Sequence, residues 1–154
     1  MEITKQGPTI NEQEVKDFEQ LIGYSLPTDY RRFLLTNNGG KPNPDFFDVP
    51  GWRYKESFVT DLKGIKTGLK VDLAKLYNLF EGRLPKGFIA VGADPGGNLI
   101  LLSLDGSTQG KVYFFDHENE PDDATDDVKD YPNIYEVGKS FDQFLNNLRG
   151  EREK

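Results

Sequence analysis

Between residues 88 and 117 three apolar runs follow one another: "FIAVGA" at 88–93, "NLILLSL" at 98–104 and "KVYFFDH" at 111–117. They are short, rich in Val, Ile, Leu, Tyr and Phe, and bounded by turn residues, so they read as strands. Only brief turn segments separate them. Parallel strands need a long crossover, so these three must pair as an antiparallel meander. "IYEVG" at 134–138 supplies a candidate fourth strand. The first break, "DPGG" (Asp94 to Gly97), raises the question of a phosphate-binding loop. Such a loop needs fixed glycine spacing, then lysine with serine or threonine, then a helix whose N-terminus faces the anion. Here Asn98 and a strand follow, and no lysine lies between Asp94 and Leu104. Proline presets φ and glycine supplies positive φ, so the stretch is read as a hairpin turn.

Helices flank the meander. Asn11 and Glu14 have the spacing of a capping box, with Ile10 and Val15 as a hydrophobic staple. Val15, Phe18, Leu21 and Ile22 then fall on one face, and Gly23 ends the helix. A second helix begins near Pro27, carries Tyr30, Phe33 and Leu34 inward, and stops at "NNGG" (Asn37 to Gly40). Asp72 caps a third, whose Leu73, Leu76, Tyr77 and Phe80 face the core before Gly82 ends it. Ser140 caps a last helix with Phe141, Phe144, Leu145 and Leu148 on one face. Helices, strands and a final helix define an α+β fold in a single domain over 1–154, with its core at about 11–148. The expected core includes Phe18, Leu21, Tyr30, Phe33, Leu34, Ile100, Leu102, Phe144 and Leu148.

Residues 41–56, "KPNPDFFDVPGWRYKE", hold three prolines and read as a long loop. Its Phe46, Phe47, Trp52 and Tyr54 argue against disorder. "SFVTDL" at 57–62 is a candidate strand. Trp52, Arg53 and Tyr54 are of the types enriched at interface hot spots, and a tryptophan packed on the core is the competing reading.

Composition narrows the function. The chain has 26 acidic and 19 basic residues, a net charge of -7. Nucleic-acid binding needs a basic footprint, so it is disfavoured, while a basic protein partner is compatible. There are no cysteines, which excludes disulfides, thiolate metal sites and cysteine nucleophiles and fits a reducing compartment. No apolar run approaches the roughly 20 residues of a membrane span, and the N-terminus lacks a signal-peptide pattern, so a cytosolic location is expected. Residues 116–130 hold eight carboxylates. Asp116, Glu118, Glu120, Asp122, Asp123, Asp126 and Asp127 read either as a solvated loop or as a docking surface for a basic partner. They lack the ordered ligand spacing of a calcium loop, so no metal is assigned. His117, the single histidine, has no identifiable nucleophile to serve, so no catalytic residue and no cofactor is assigned either.

Several stretches, in this order, resemble the SUKH superfamily: "FEQLIGYSLPTDYRRFLLTNNGG", "GADPGGNLILLSL", "KVYFFDHE" and "SFDQFLNNL". The resemblance runs from about Asn11 to Leu148 and is poorest between Pro42 and Pro85. It implies a non-enzymatic α+β domain. Bacterial members of that superfamily bind and neutralise a cognate toxin, often a nuclease. Fungal cell-wall-assembly regulators are related, so a scaffold or regulatory adaptor is the alternative. The partner implied is a basic toxin domain, with Trp52, Arg53, Tyr54 and the acidic run as the expected contact residues. The toxin's identity and the oligomeric state are left open.

Overall fold

The structure is a computed structural model that describes residues 1–67, 72–123 and 127–152. Its centre is a five-stranded antiparallel sheet. The strands are β5 (Asp61–Leu62), β6 (Phe88–Ala93), β7 (Leu99–Ser103), β8 (Val112–Phe115) and β9 (Ile134–Gly138), paired in that order. The expected meander is therefore present, extended by one short strand at the β6 edge. Four helices complete the α+β fold: α1 (Glu12–Ile22), α2 (Thr28–Asn37), α3 (Leu73–Leu79) and α4 (Phe141–Asn146).

Every residue of β7 is buried, because both faces of the sheet are covered. Side chains alternate across a strand, and register places Ile100 opposite Phe114 and Leu102 opposite Val112 on one face. That face packs with Val15, Phe18, Tyr30, Phe33, Leu34, Phe141 and Phe144 from α1, α2 and α4. The other face, with Leu99, Leu101, Tyr113 and Phe115, packs on Leu76 and the half-buried Phe80, Leu84 and Ile134. Local sequence fixes the helix ends. Asn11 Oδ1 accepts from the Glu14 amide at 2.9 Å and Glu14 Oε1 accepts from the Asn11 amide at 3.3 Å, closing the capping box. Gly23 ends α1 in the left-handed region. Asn38 ends α2 the same way, and its side chain bonds Pro8 O, Ile65 O and the Ile65 amide, tying three segments together.

Four expectations are corrected. Residues 41–56 are not a plain loop. They contain β2 (Lys41–Asn43), which pairs with β1 (Glu2–Thr4), and β3 (Phe46–Asp48), which pairs with β4 (Glu56–Phe58). These three-residue strands are too short to show alternation. "SFVTDL" is likewise not one strand: it ends β4 and then forms β5, in different sheets. Leu21 is 53 % exposed instead of buried. At about 100° per residue it lies roughly 60° beyond Phe18 on α1, outside the narrow stripe made by Val15, Phe18 and Ile22. The third helix stops at Leu79 with Phe80 as its C-cap, short of Gly82.

Candidate functional site

Three connections converge at one end of the central sheet: the β3–β4 loop, the β6–β7 turn and the segment after β8. The β6–β7 turn is organised by Asp94, which is buried. Its Oδ1 accepts from the Gly96 and Asn98 amides at 2.9 and 2.8 Å. Its Oδ2 accepts from Asn98 Nδ2 at 2.9 Å and from Ser57 Oγ at 2.8 Å. The "DPGG" stretch is thus a hairpin turn whose inward groups are already satisfied by its own carboxylate. Gly97 takes the positive φ, +87°.

After β8 the chain is organised by a second buried carboxylate, Asp116. Its Oδ1 accepts from the Glu118 amide and its Oδ2 from Asn119 Nδ2, each at 3.0 Å. Its Oδ2 also accepts from Trp52 Nε1 at 3.0 Å, across the space between the two loops. Asn133 Nδ2 donates to the Asp116 carbonyl at 2.9 Å. The two carboxylate centres are linked through Asn98 and His117. The His117 amide donates to Asn98 Oδ1 at 3.1 Å, and its Nε2 donates to Gly96 O at 2.7 Å. The single histidine therefore holds the turn.

Of the expected contact residues, the structure divides the aromatics. Trp52 is buried, with its ring centroid 4.6 Å from that of Phe114, so its role is to anchor the loop. Tyr54 is 54 % exposed and stands edge-on to Trp52 at 5.0 Å. The Arg53 guanidinium lies 4.6 Å from the centroid of the Tyr54 ring and bonds its hydroxyl. Arg53, Tyr54, His117 and Glu118 are the solvent-facing members of this cluster.

The acidic run divides too. Asp116 is interior, because its carboxylate closes the loop it begins. Glu120 is held by Arg83 through two hydrogen bonds, at 2.9 and 2.6 Å. That bonding raises Arg83 above its ordinary value, outweighing the opposing effect of burial. Asp127 caps a turn at the Lys129 amide, 2.9 Å away. Glu118, Asp122, Asp123 and Asp127 are exposed, and Asp126 lies outside the described residues. The accessible acidic surface is smaller than the sequence run. Sequence reasoning missed Asp94 and Asn98 as organising residues. Their signal was present in the turn chemistry, because an aspartate ahead of Pro-Gly-Gly can accept from amides two and four residues on.

Among the described residues, no group of three or more histidine, aspartate and glutamate side chains stands close enough to hold a metal ion. No described helix is long and apolar enough to cross a membrane. The site is a polar-bonded loop end whose solvent-facing side chains are one arginine, one tyrosine, one histidine and one carboxylate.

The whole-chain pattern agrees with a known family. The chain matches the SMI1 / KNR4 family (SUKH-1) over residues 9–147 and belongs to it. It is also 32 % identical over 162 residues to the SPbeta prophage-derived uncharacterized protein YokK of Bacillus subtilis (strain 168). That match covers 94 % of this chain and 78 % of the relative. Membership supports a toxin-immunity type of protein at the level of the family.

Proposed function

We propose that this protein is a cytosolic immunity protein that binds a cognate toxin domain of basic charge, of which a nuclease is the best candidate class. It neutralises that domain by occupying its surface, without catalysis. The observation that carries the reading is the exposed Arg53–Tyr54 pair, held beside Glu118 by the buried Trp52–Asp116 hydrogen bond. A tyrosine fixed in place loses little freedom on binding, and such anchors supply much of the energy at interfaces. The net charge of -7 favours rapid encounter with a cationic surface.

The test is to look for a toxin domain in the reading frames beside this chain's, to express it, and to measure binding by calorimetry and rescue of growth in cells. A 1:1 complex that weakens with salt and restores growth is the expected result. Binding to several unrelated proteins, with no effect on the adjacent toxin, would instead place the chain with the scaffold and adaptor branch of its relatives.

A further inference from the structure

A cavity of about 550 Å³ lies between the C-terminal ends of α1 and α3 and the start of β6. It shares no lining residue with the Trp52–Asp116 cluster. The local backbone explains its walls. Gly23 at φ +80° turns the chain out of α1 and brings Tyr24 to the rim. Tyr77 reaches across from α3, its hydroxyl donating to Ile22 O at 3.4 Å. Phe80 caps α3 and forms the third aromatic wall, its ring already covered by the Arg83 guanidinium at 4.2 Å from the centroid. Gly87 at φ +81° lets β6 begin close to Tyr24 and Asp105. A side chain there would meet Asp105 Cβ at 3.0 Å and the Tyr24 ring at 3.7 Å.

Two exposed carboxylate residues, Glu81 and Asp105, line the same cavity with the three half-buried rings. Neither carboxylate has a hydrogen bond or ion pair among the described residues. A second depression of about 350 Å³ shares Lys86 and Asp105 with the first and runs on to Asp127 at the end of the acidic run. The groove thus carries three carboxylates against one lysine.

Its chemistry selects an occupant. Aromatic faces attract a cation, and a planar guanidinium can stack on a ring while its N–H groups reach carboxylates. An apolar ligand would strip water from Glu81 and Asp105 without replacing it, and an anion would be repelled. We propose that this groove receives an arginine side chain of a basic polypeptide partner. The guanidinium lies against the Tyr24 and Tyr77 rings, with Glu81 and Asp105 as its counter-charges. The partner's following residues run toward Asp127. The inference rests on the reading of this chain as a binder of a basic protein, and it names a surface for that binding.

The probe is capped tri-arginine, compared with capped tri-lysine and capped tri-citrulline, titrated into the ¹⁵N-labelled full chain. Saturable shifts are expected at the Gly82 and Gly87 amides, with binding in the order arginine, lysine, citrulline. The double variant E81Q/D105N changes exposed side chains only and should keep the wild-type spectrum elsewhere. It should weaken tri-arginine binding about tenfold, as loss of close charge partners does. Equal binding of arginine and citrulline, or unchanged affinity in the double variant, overturns the proposal. Failure of the broader reading shows itself separately. If tri-arginine binds the groove but the adjacent toxin domain forms no complex, the groove stands and the immunity reading falls. If the toxin binds and tri-arginine leaves Gly82 and Gly87 unmoved, the reverse holds.

Discussion

The Trp52 indole donates a 3.0 Å hydrogen bond to the Asp116 carboxylate, and both residues are buried. The bond fastens the β3–β4 loop to the end of β8. Trp52→Phe keeps most of the ring against Phe114 but removes the donor. A buried carboxylate that loses a partner retains its desolvation cost, so the variant should be destabilised by about 1–3 kcal/mol. Trp52→Ala removes the ring as well and should cost about 3–5 kcal/mol. Urea unfolding of both variants checks this, and an unchanged midpoint for Trp52→Phe would show that the bond contributes nothing.

Gly96 and Gly97 are adjacent but not equivalent. Gly97 sits at φ +87°, and a Cβ there would come within 3.2 Å of His117 Nε2. Gly97→Val should therefore cost at least about 1 kcal/mol, because a β-branched residue resists that backbone region. Gly96 has no positive φ, and its nearest neighbour to an added Cβ is Asn98 Nδ2 at 3.4 Å. Gly96→Ala should be tolerated within about 0.5 kcal/mol, as substitutions without strain are. Thermal unfolding of the two variants side by side separates the strained position from the ordinary one. Adding inorganic phosphate should leave both melting temperatures unmoved, since the turn's carboxylate already occupies the amides.

The short helix α4 depends on its aromatic face. Phe144 is 1 % exposed, and its ring lies 5.2 Å from that of Phe47. Phe144→Ala should destabilise the protein by about 3–5 kcal/mol, the range for aromatic core truncations. Unchanged stability in guanidinium titration would mean that α4 is not docked as described.

What could be read in advance was what nearby residues dictate. The α1 capping box, the 134–138 strand and the hairpin at Asp94 each depend on residues within a few positions of one another. What could not be read depends on distant partners. β2 contains Pro42 and has no alternation, and it becomes a strand because β1 pairs with it from far along the chain. Trp52 stays open in the sequence between contact residue and core residue, because its acceptor, Asp116, is 64 residues away. A buried indole N–H usually has a partner, but sequence does not say which carboxylate supplies it. The aromatic cavity is similar: Tyr24, Tyr77 and Asp105 come from three separate stretches of the chain and share no motif.

Acid should loosen the attachment of the C-terminal segment before the core yields. Arg149 exchanges backbone hydrogen bonds with Phe46, and its side chain reaches Asp48 at 2.7 Å and Glu56 at 3.2 Å. Hydrogen bonding to Arg149 holds the Asp48 carboxyl below its ordinary value. A depressed carboxyl contributes stability above its unfolded pKa and loses it as pH falls through the folded one. The effect is small, because Asp48 is largely in solvent. Amide exchange at Phe46 and Arg149 should therefore speed up in acid, relative to the β7 amides. Asp48→Asn should abolish most of that pH dependence, and a pH profile identical to wild type would remove Asp48 as its source.

Association and release should separate in the complex. Charges act at long range, so neutralising Asp122, Asp123, Asp126 and Asp127 together should slow association and flatten its salt dependence. Release should change little, because rim charges contribute weakly once partners are in contact. Tyr54→Ala removes a fixed, exposed ring and should speed release while leaving association near its original rate. Trp52→Ala is not the matching test, because its burial makes it a stability variant first. Stopped-flow mixing with the toxin domain at several salt concentrations, followed by surface-binding measurements of release, reads both arms. If the quadruple neutralisation leaves the association rate and its salt slope unchanged, the acidic run is a solvated loop. Steering of the partner would then fall to other carboxylates of the surface.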